Sequence, residues 1–344
     1  MRRPPILFLP LLMLWLSLAS CQTCQFYQQA IQGQLEIFRK SRTNSQVCAD
    51  PACSPELRRQ LTAVEGIRHF ASDFLLLPGT TSYGKYADLK RQHVVWVLYA
   101  APEFSLKAKT WNYPAVGKMD YRGYFHEQDS IALSGQLKSE GYDVFIGGVD
   151  AYSSLGWFHD PILNTFVNYP DLDLAETIFH ELTHRKVFHP GDTVFNESLA
   201  NMVAEEGVKR WLQHQGRFAE FQHYQTRLQR RHEFYQEIDL CRRNLETLYA
   251  SGQAASTMRF KKMAILSKLR DQLGKLRCKW GGRGLESWLH ENLNNGHIVS
   301  LKIYAEQVPT FQNLLKDCAG NLELFFEKAD HLKFSKHSTD PKTP

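Results

Sequence analysis

The sequence predicts an α+β fold that is mostly helical, with a small mixed sheet and a long helical hairpin. Three observations carry this. Apolar residues recur at helical spacing before residue 77 and again from 171 onward. Between 93 and 152, runs rich in Val, Tyr, Phe and Trp are punctuated by Gly and Pro. Two long, charged, amphipathic stretches, 217–250 and 256–278, meet at a Ser251-Gly252 turn. With 43% hydrophobic and 22% charged residues among 344, the chain has the composition of a packed core, which excludes disordered and fibrous classes.

In chain order, residues 22–45 read as a helix with Phe26, Ala30, Ile31, Leu35 and Phe38 on one face. A second helix covers 55–77 and stops before Pro78-Gly79. The segments 93–100 (HVVWVLYA), 113–125 and 142–152 read as strands of a small sheet, with 142–156 a candidate edge for pairing with an extended peptide. Asp173, with Glu176 three residues on, resembles a capping box opening a helix over 173–188, built on Leu174, Ile178 and Leu182. Pro190-Gly191 breaks it, and a new helix starts at Asp192 or Thr193 and runs through Trp211. One or two helices follow over 284–332. The expected organisation is a leader (1–20), an N-terminal helical segment (21–90), a core (91–212), a C-terminal helical region (213–334) and a polar tail (335–344).

The leader has a positive start, Arg2-Arg3, and an apolar run from Ile6 to Leu18 that is short for a membrane span. Leu18-Ala19-Ser20-Cys21 is the lipobox pattern of bacterial lipoproteins, in which Cys21 becomes an acylated N-terminus. Several acyl chains on one cysteine give stable membrane attachment. Gln22, in place of an aspartate, directs the expectation to the outer membrane, facing the periplasm of the bacterial cell envelope. The formal charge of +5 falls to +3 once Arg2 and Arg3 leave, a surplus that points away from nucleic acid as a partner. Cys24, Cys48, Cys53, Cys241, Cys278 and Cys318 remain, and an oxidising compartment favours disulfides among them, with the pairing open. Cys48 and Cys53 flank Asp50-Pro51 and suit a short local loop.

His180-Glu181-Leu182-Thr183-His184 is an HExxH motif inside a predicted helix. Residues four apart share a helix face, so both imidazoles reach one ion, and Glu181 stands beside them as a general base. The chemistry expected is that of one Zn²⁺ acting on a peptide substrate. For the third ligand, Glu197 follows the Pro-Gly break on the next helix; His189 is the alternative, held by its neighbour Pro190. Glu197 completes a His₂Glu set that leaves a fourth position open. Asn201 and Glu205, one and two turns further on, are candidates to orient the histidines. Tyr121, Tyr124 and Tyr152 are candidates for stabilising the oxyanion or holding substrate. The rival readings are a catalytically silent zinc-binding envelope lipoprotein active in binding or assembly, and a zinc hydrolase of cell-wall material.

FHELTH (179–184) followed by FNESLA (195–200) resembles the family of bacterial lipoproteins described as predicted aminopeptidases. The segments YRGYF (121–125), AYSSLGWFHDP (151–161) and YAEQVPTF (304–311) also look like that family, so the resemblance runs from about residue 90 to the C-terminus. More broadly the chain is similar to the gluzincin zinc peptidases. That resemblance implies a zincin-like core, with His180, His184 and Glu197 as ligands and Glu181 as base. Two departures stand out. The gap of 12 residues between His184 and Glu197 is short for gluzincins, and Asn201 occupies a place where they often carry an aspartate. A carboxylate to hold a substrate α-amine is not evident, with Glu205 and Glu206 the nearest candidates.

Overall fold

The computed structural model describes residues 21–80, 82–113, 117–151, 159–301 and 307–332, with side chains from Gln25 onward. The leader, the Cys21 side chain, Tyr152 with the segment after it, residues 302–306 and the polar tail lie outside the described residues.

Helix α1 (Cys21–Lys40) leads through β1 (Arg42–Thr43) into α2 (Asn44–Ala49) and α3 (Pro55–Leu75). Ser54 caps α3, Pro55 opens it, and Leu76 in the left-handed region ends it ahead of Pro78. Helix α1 is turned differently from the face its apolar spacing predicts. Phe26, Gln29, Gly33 and Ile37 point inward, while Ile31, Leu35 and Phe38 are exposed. Gly33 decides this, because the Phe125 ring lies 2.1–2.4 Å from where a Cβ would stand. Gln29 Oε1 also accepts from Phe125 N at 2.8 Å. A close backbone approach and a buried hydrogen bond prevail over the apolar strip.

The middle of the chain supplies β2 (Lys85–Ala87), β3 (Val95–Pro102), β4 (Trp111–Tyr113), β5 (Gly117–Met119), β6 (Arg122–Tyr124), helix α4 (Glu127–Ser139), β7 (Tyr142–Val149) and β8 (Ile162–Leu163). The central sheet is antiparallel in the order β6-β3-β7, with Leu98 opposite both Arg122 and Ile146. A smaller sheet, β1-β2-β8, pairs β2 and β8 in parallel, and β4-β5 is a separate two-stranded pair. Strand β7 is an edge, but Asn294 Nδ2 already donates to Val144 O at 3.1 Å there.

The remainder is helical: α5 (Asp171–Lys186), α6 (Thr193–His214), α7 (Phe218–Tyr249), α8 (Ala255–Lys279), α9 (Glu286–His290), α10 (Asn295–Leu301), α11 (Val308–Asp317) and α12 (Leu322–His331). The mostly helical α+β fold is as expected, and α7–α8 is the hairpin. Region 284–332 is cut into more helices than the one or two expected, because Asn294, Pro309 and Asn321 each start a new one. The capping box expected at Asp173 and Glu176 does not form. Pro170 stands at the N-cap of α5 without a side-chain cap, and the two carboxylates bind Arg227 and Arg231 of α7 instead.

The main core joins α3, α5, α6, the sheets and α12. Gly207 lets α6 close on its neighbours, since a Cβ there would stand 2.7 Å from Phe179 and 2.8 Å from Leu75. A second apolar cluster lies between α7 and α8, around Cys241, Leu245, Leu269 and Leu273. Cys48, Cys53, Cys241, Cys278 and Cys318 are free thiols, so the expected disulfides are not formed among them; Cys241 and Cys318 are buried in different clusters. No helix among the described residues is long and apolar enough to cross a membrane.

Candidate metal centre

One face of α5, carrying Leu174, Ile178, Phe179 and Leu182, is fully buried. That orientation leaves His180 and Glu181 partly exposed at its margin, with His184 at 6% exposure one turn on. The chain then reverses. Gly191 adopts φ +79°, and Asp192 caps α6 by accepting from Phe195 N at 3.0 Å. Asn196 grips the turn at both ends of its amide: Oδ1 accepts from His189 N and Nδ2 donates to His189 O, each at 2.8 Å. Glu197 is thereby carried opposite the histidines.

Glu197 Oε2 lies 3.2 Å from His180 Nε2, and Oε1 lies 3.6 Å from His184 Nε2. The two Nε2 atoms are 3.1 Å apart, with the rings nearly perpendicular at 85°. Donors bound about 2 Å from one tetrahedral ion sit roughly 3.3 Å from each other. The spacing of this trio fits that requirement, and His180, His184 and Glu197 form a group able to hold a metal ion. His189 turns elsewhere: its ring stacks on Phe195 at 3.9 Å, and Nε2 lies 3.1 Å from Asp330 O.

The electrostatics suit a cation. Burial pushes His184 down to about 4, keeping its imidazole neutral with a lone pair to offer. Burial works to raise the Glu197 carboxyl, but His184 and His180 outweigh it and hold it below the usual range, so it stays ionised. Burial likewise opposes charge on His180, and the Glu197 hydrogen bond overcomes that, so its pKa rises. Glu181 is pushed up to about 7, chiefly by burial; His180 opposes the shift, and Glu197 and Asp160 add to it. A carboxyl near neutrality beside three convergent donors is suited to moving protons.

The family described as "Putative aminopeptidase" matches residues 25–342. The chain belongs to this family. No curated protein and no solved structure matches it.

In this aminopeptidase-family member a cavity of about 560 Å³ opens beside the trio, lined by His180, Glu181, Glu176, Asp173, Asn201 and Arg231 among others. Asn201 is thus on the wall next to His180. Glu205 is further along α6, where Arg231 Nη1 donates to it at 3.1 Å. Tyr121 is half-buried, and after burial the Glu197 charge is the next cause that raises its pKa, with Glu181 also contributing, which sets its ring beside the site. Tyr124 is buried against Phe26 at 5.5 Å, among Arg122 and Asp129. Sequence reasoning missed Tyr83 and Asp160. Tyr83 is 2% exposed at φ +62°, a conformation a bulky side chain adopts only under constraint, and its N–H donates to Asp160 O at 2.7 Å. Both act electrostatically with Glu181. Periodicity held no signal for either. Glu176 did have one, since it precedes His180 by four residues on the same face.

Proposed function

We propose that the protein is a zinc-dependent aminopeptidase, with one zinc ion held by His180, His184 and Glu197 and with Glu181 as general base. The observation that carries this reading is the set of three donors 3.1–3.6 Å apart, of which His180 lines a cavity together with Glu181, a carboxyl raised to about 7. Zinc in a three-ligand site polarises a peptide carbonyl and makes a water nucleophilic near neutral pH. Glu181 takes the proton from the attacking water on a carboxylate oxygen and passes it to the nitrogen of the leaving amine. Tyr121 is suited to donate its hydroxyl hydrogen to the carbonyl oxygen as charge builds there. Asn201 is suited to orient a ligating histidine, and Glu205 to act through Arg231. The ligand order follows the gluzincin pattern.

The same proposal attaches the protein by acyl chains on Cys21 to the outer membrane of a bacterial cell envelope, facing the periplasm. In support, α1 exposes Tyr27, Ile31, Leu35 and Phe38 along one side, shortly after Cys21, an apolar strip suited to a lipid surface. The test of function is digestion of a synthetic peptide library by the chain from residue 22 onward. The expected result is shortening of peptides from the N-terminus, abolished by a chelator and restored by zinc. A preparation loaded with zinc that hydrolyses no peptide would overturn the proposal.

A further inference from the structure

Helix α8 carries eight lysines and arginines against a single acid, Asp271, a surplus greater than the +5 of the whole chain. Like charges on one helix repel, so whatever neutralises them is favoured at its surface. Part of this charge is engaged inside the molecule. Arg259 pairs with Glu103, buried Lys262 with Asp143, Arg277 with Glu286 and Lys279 with Glu233, while Arg270 Nη2 donates to Glu291 O at 2.8 Å. Lys261, Lys268 and Lys275 take no part in these pairs, and Lys261 Nζ donates to the neutral Gln253 Oε1 at 2.8 Å. All three are exposed. A helix returns to within about 20° of the same line every seven residues, so the three lysines form one row with steps of roughly 10 Å.

Beside this row, on the same outward half of α8, stand Phe260 and Met263. They are 74% and 67% exposed, and Phe260 is the most exposed large apolar side chain among the described residues. The face that carries them is rigid. On the opposite side Leu266, Leu269 and Leu273 are buried with Ile238, Cys241 and Leu245 of α7. Lys262 ties the start of the helix to Asp143 and to Glu103 O. A partner therefore meets a preformed surface and does not have to order it.

The combination of charge and apolar surface selects the partner. Nucleic acid supplies phosphates but no apolar phase for Phe260 and Met263. A second copy packed about a two-fold axis would set the lysine row against itself. A bilayer containing anionic lipid supplies both requirements, headgroup phosphates for the lysines and an acyl boundary for the two apolar side chains.

We propose that the outward face of α8 is a docking surface for a bilayer bearing anionic lipid, with Lys261, Lys268 and Lys275 on headgroup phosphates and Phe260 and Met263 entering the acyl boundary. It requires neither acyl chains on Cys21 nor the peptidase reading. The test uses the chain from residue 22 onward and vesicles of phosphatidylcholine, with or without about one third phosphatidylglycerol. Cosedimentation measures partitioning, and light scattering reports self-association. An environment-sensitive dye on Cys278 reports which face meets lipid, because that exposed thiol lies five helical turns after Phe260 on the same line. The wild type is expected to bind the phosphatidylglycerol vesicles, less as salt rises, with the dye shifted to a less polar environment. The triple variant Lys261→Gln, Lys268→Gln, Lys275→Gln should bind more weakly by on the order of 100-fold, about fivefold for each lysine. Phe260→Ser with Met263→Ser should bind about 10-fold more weakly and lose the dye shift. All five positions are exposed, so both variants should melt as the wild type does. A wild type indifferent to phosphatidylglycerol, a triple variant that binds as well as the wild type, or binding without a dye response would overturn the assignment. Self-association that is lost in Phe260→Ser with Met263→Ser would give the face to a second copy and overturn it as well.

Discussion

Glu181 is the residue whose environment differs most from that of an ordinary carboxylate. Its folded pKa of about 7 lies above the unfolded value of 4.5, so between those two values the folded state holds a proton that the unfolded state has released. The stabilising contribution is complete below pH 4.5 and is lost as pH rises through 7. Metal-free Glu181→Gln, which has no proton to lose, should therefore gain on the wild type as pH increases. Thermal melts in chelator at pH 5 and pH 8 check this. The expected advantage of the variant is larger at pH 8 by on the order of 2 kcal/mol, and an advantage that shrinks towards pH 8 would contradict the burial argument. The trio itself was legible in the sequence, because a four-residue step on α5 and a Pro-Gly break are local devices, whereas the Asn196 amide that ties the turn to His189 left no signal in spacing. Glu176 was misread as half of a capping box because its partners, Arg227 and Arg231, lie more than fifty residues away on α7. Spacing along one segment carries no trace of such a pair.

Helices α5 and α6 show what periodicity can and cannot reveal about elements. Their existence and the break between them followed from Leu174, Ile178 and Leu182, from Pro190-Gly191 and from Asp192. Helix α1 was equally visible, but its orientation was not, since Gly33 and Gln29 set its inward face through contact with Phe125. Small residues decide approach distances, and hydrophobicity counts give them little weight. Gly207 acts in the same way between α6, α5 and α3. Gly207→Ala should destabilise the protein by about 1–3 kcal/mol through overpacking against Phe179 and Leu75. Urea unfolding measures this, and a neutral or stabilising effect would mean that the two side chains yield freely.

Across the whole molecule, the hairpin is secured at both ends by charge. Its base crosses α5 and α6 through Arg227 and Arg231, and its far end docks on the sheet through Lys262. Lys262, 6% exposed, donates through Nζ to Asp143 at 2.5 Å and to Glu103 O at 2.8 Å. Lys262→Met leaves the Asp143 carboxylate without its cation, with the Asn295 N–H still donating to it, and should cost on the order of 3 kcal/mol. Thiol labelling follows the same event locally. Cys278 is exposed and should react in the native protein, while Cys241, buried between α7 and α8 and pushed up to about 12, should not. Faster labelling of Cys241 in Lys262→Met is the expected sign of a loosened hairpin, and an unchanged rate would show that apolar packing alone holds it.

In the proposed mechanism, metal binding and proton transfer belong to different residues of one site. Zinc per chain and peptide turnover, measured side by side in wild type and Glu181→Gln, separate the two roles. About one zinc per chain is expected in both, with hydrolysis abolished in the variant, as follows if Glu181 moves protons and does not ligate. Turnover near the wild-type rate in Glu181→Gln, or loss of zinc together with activity, would contradict it.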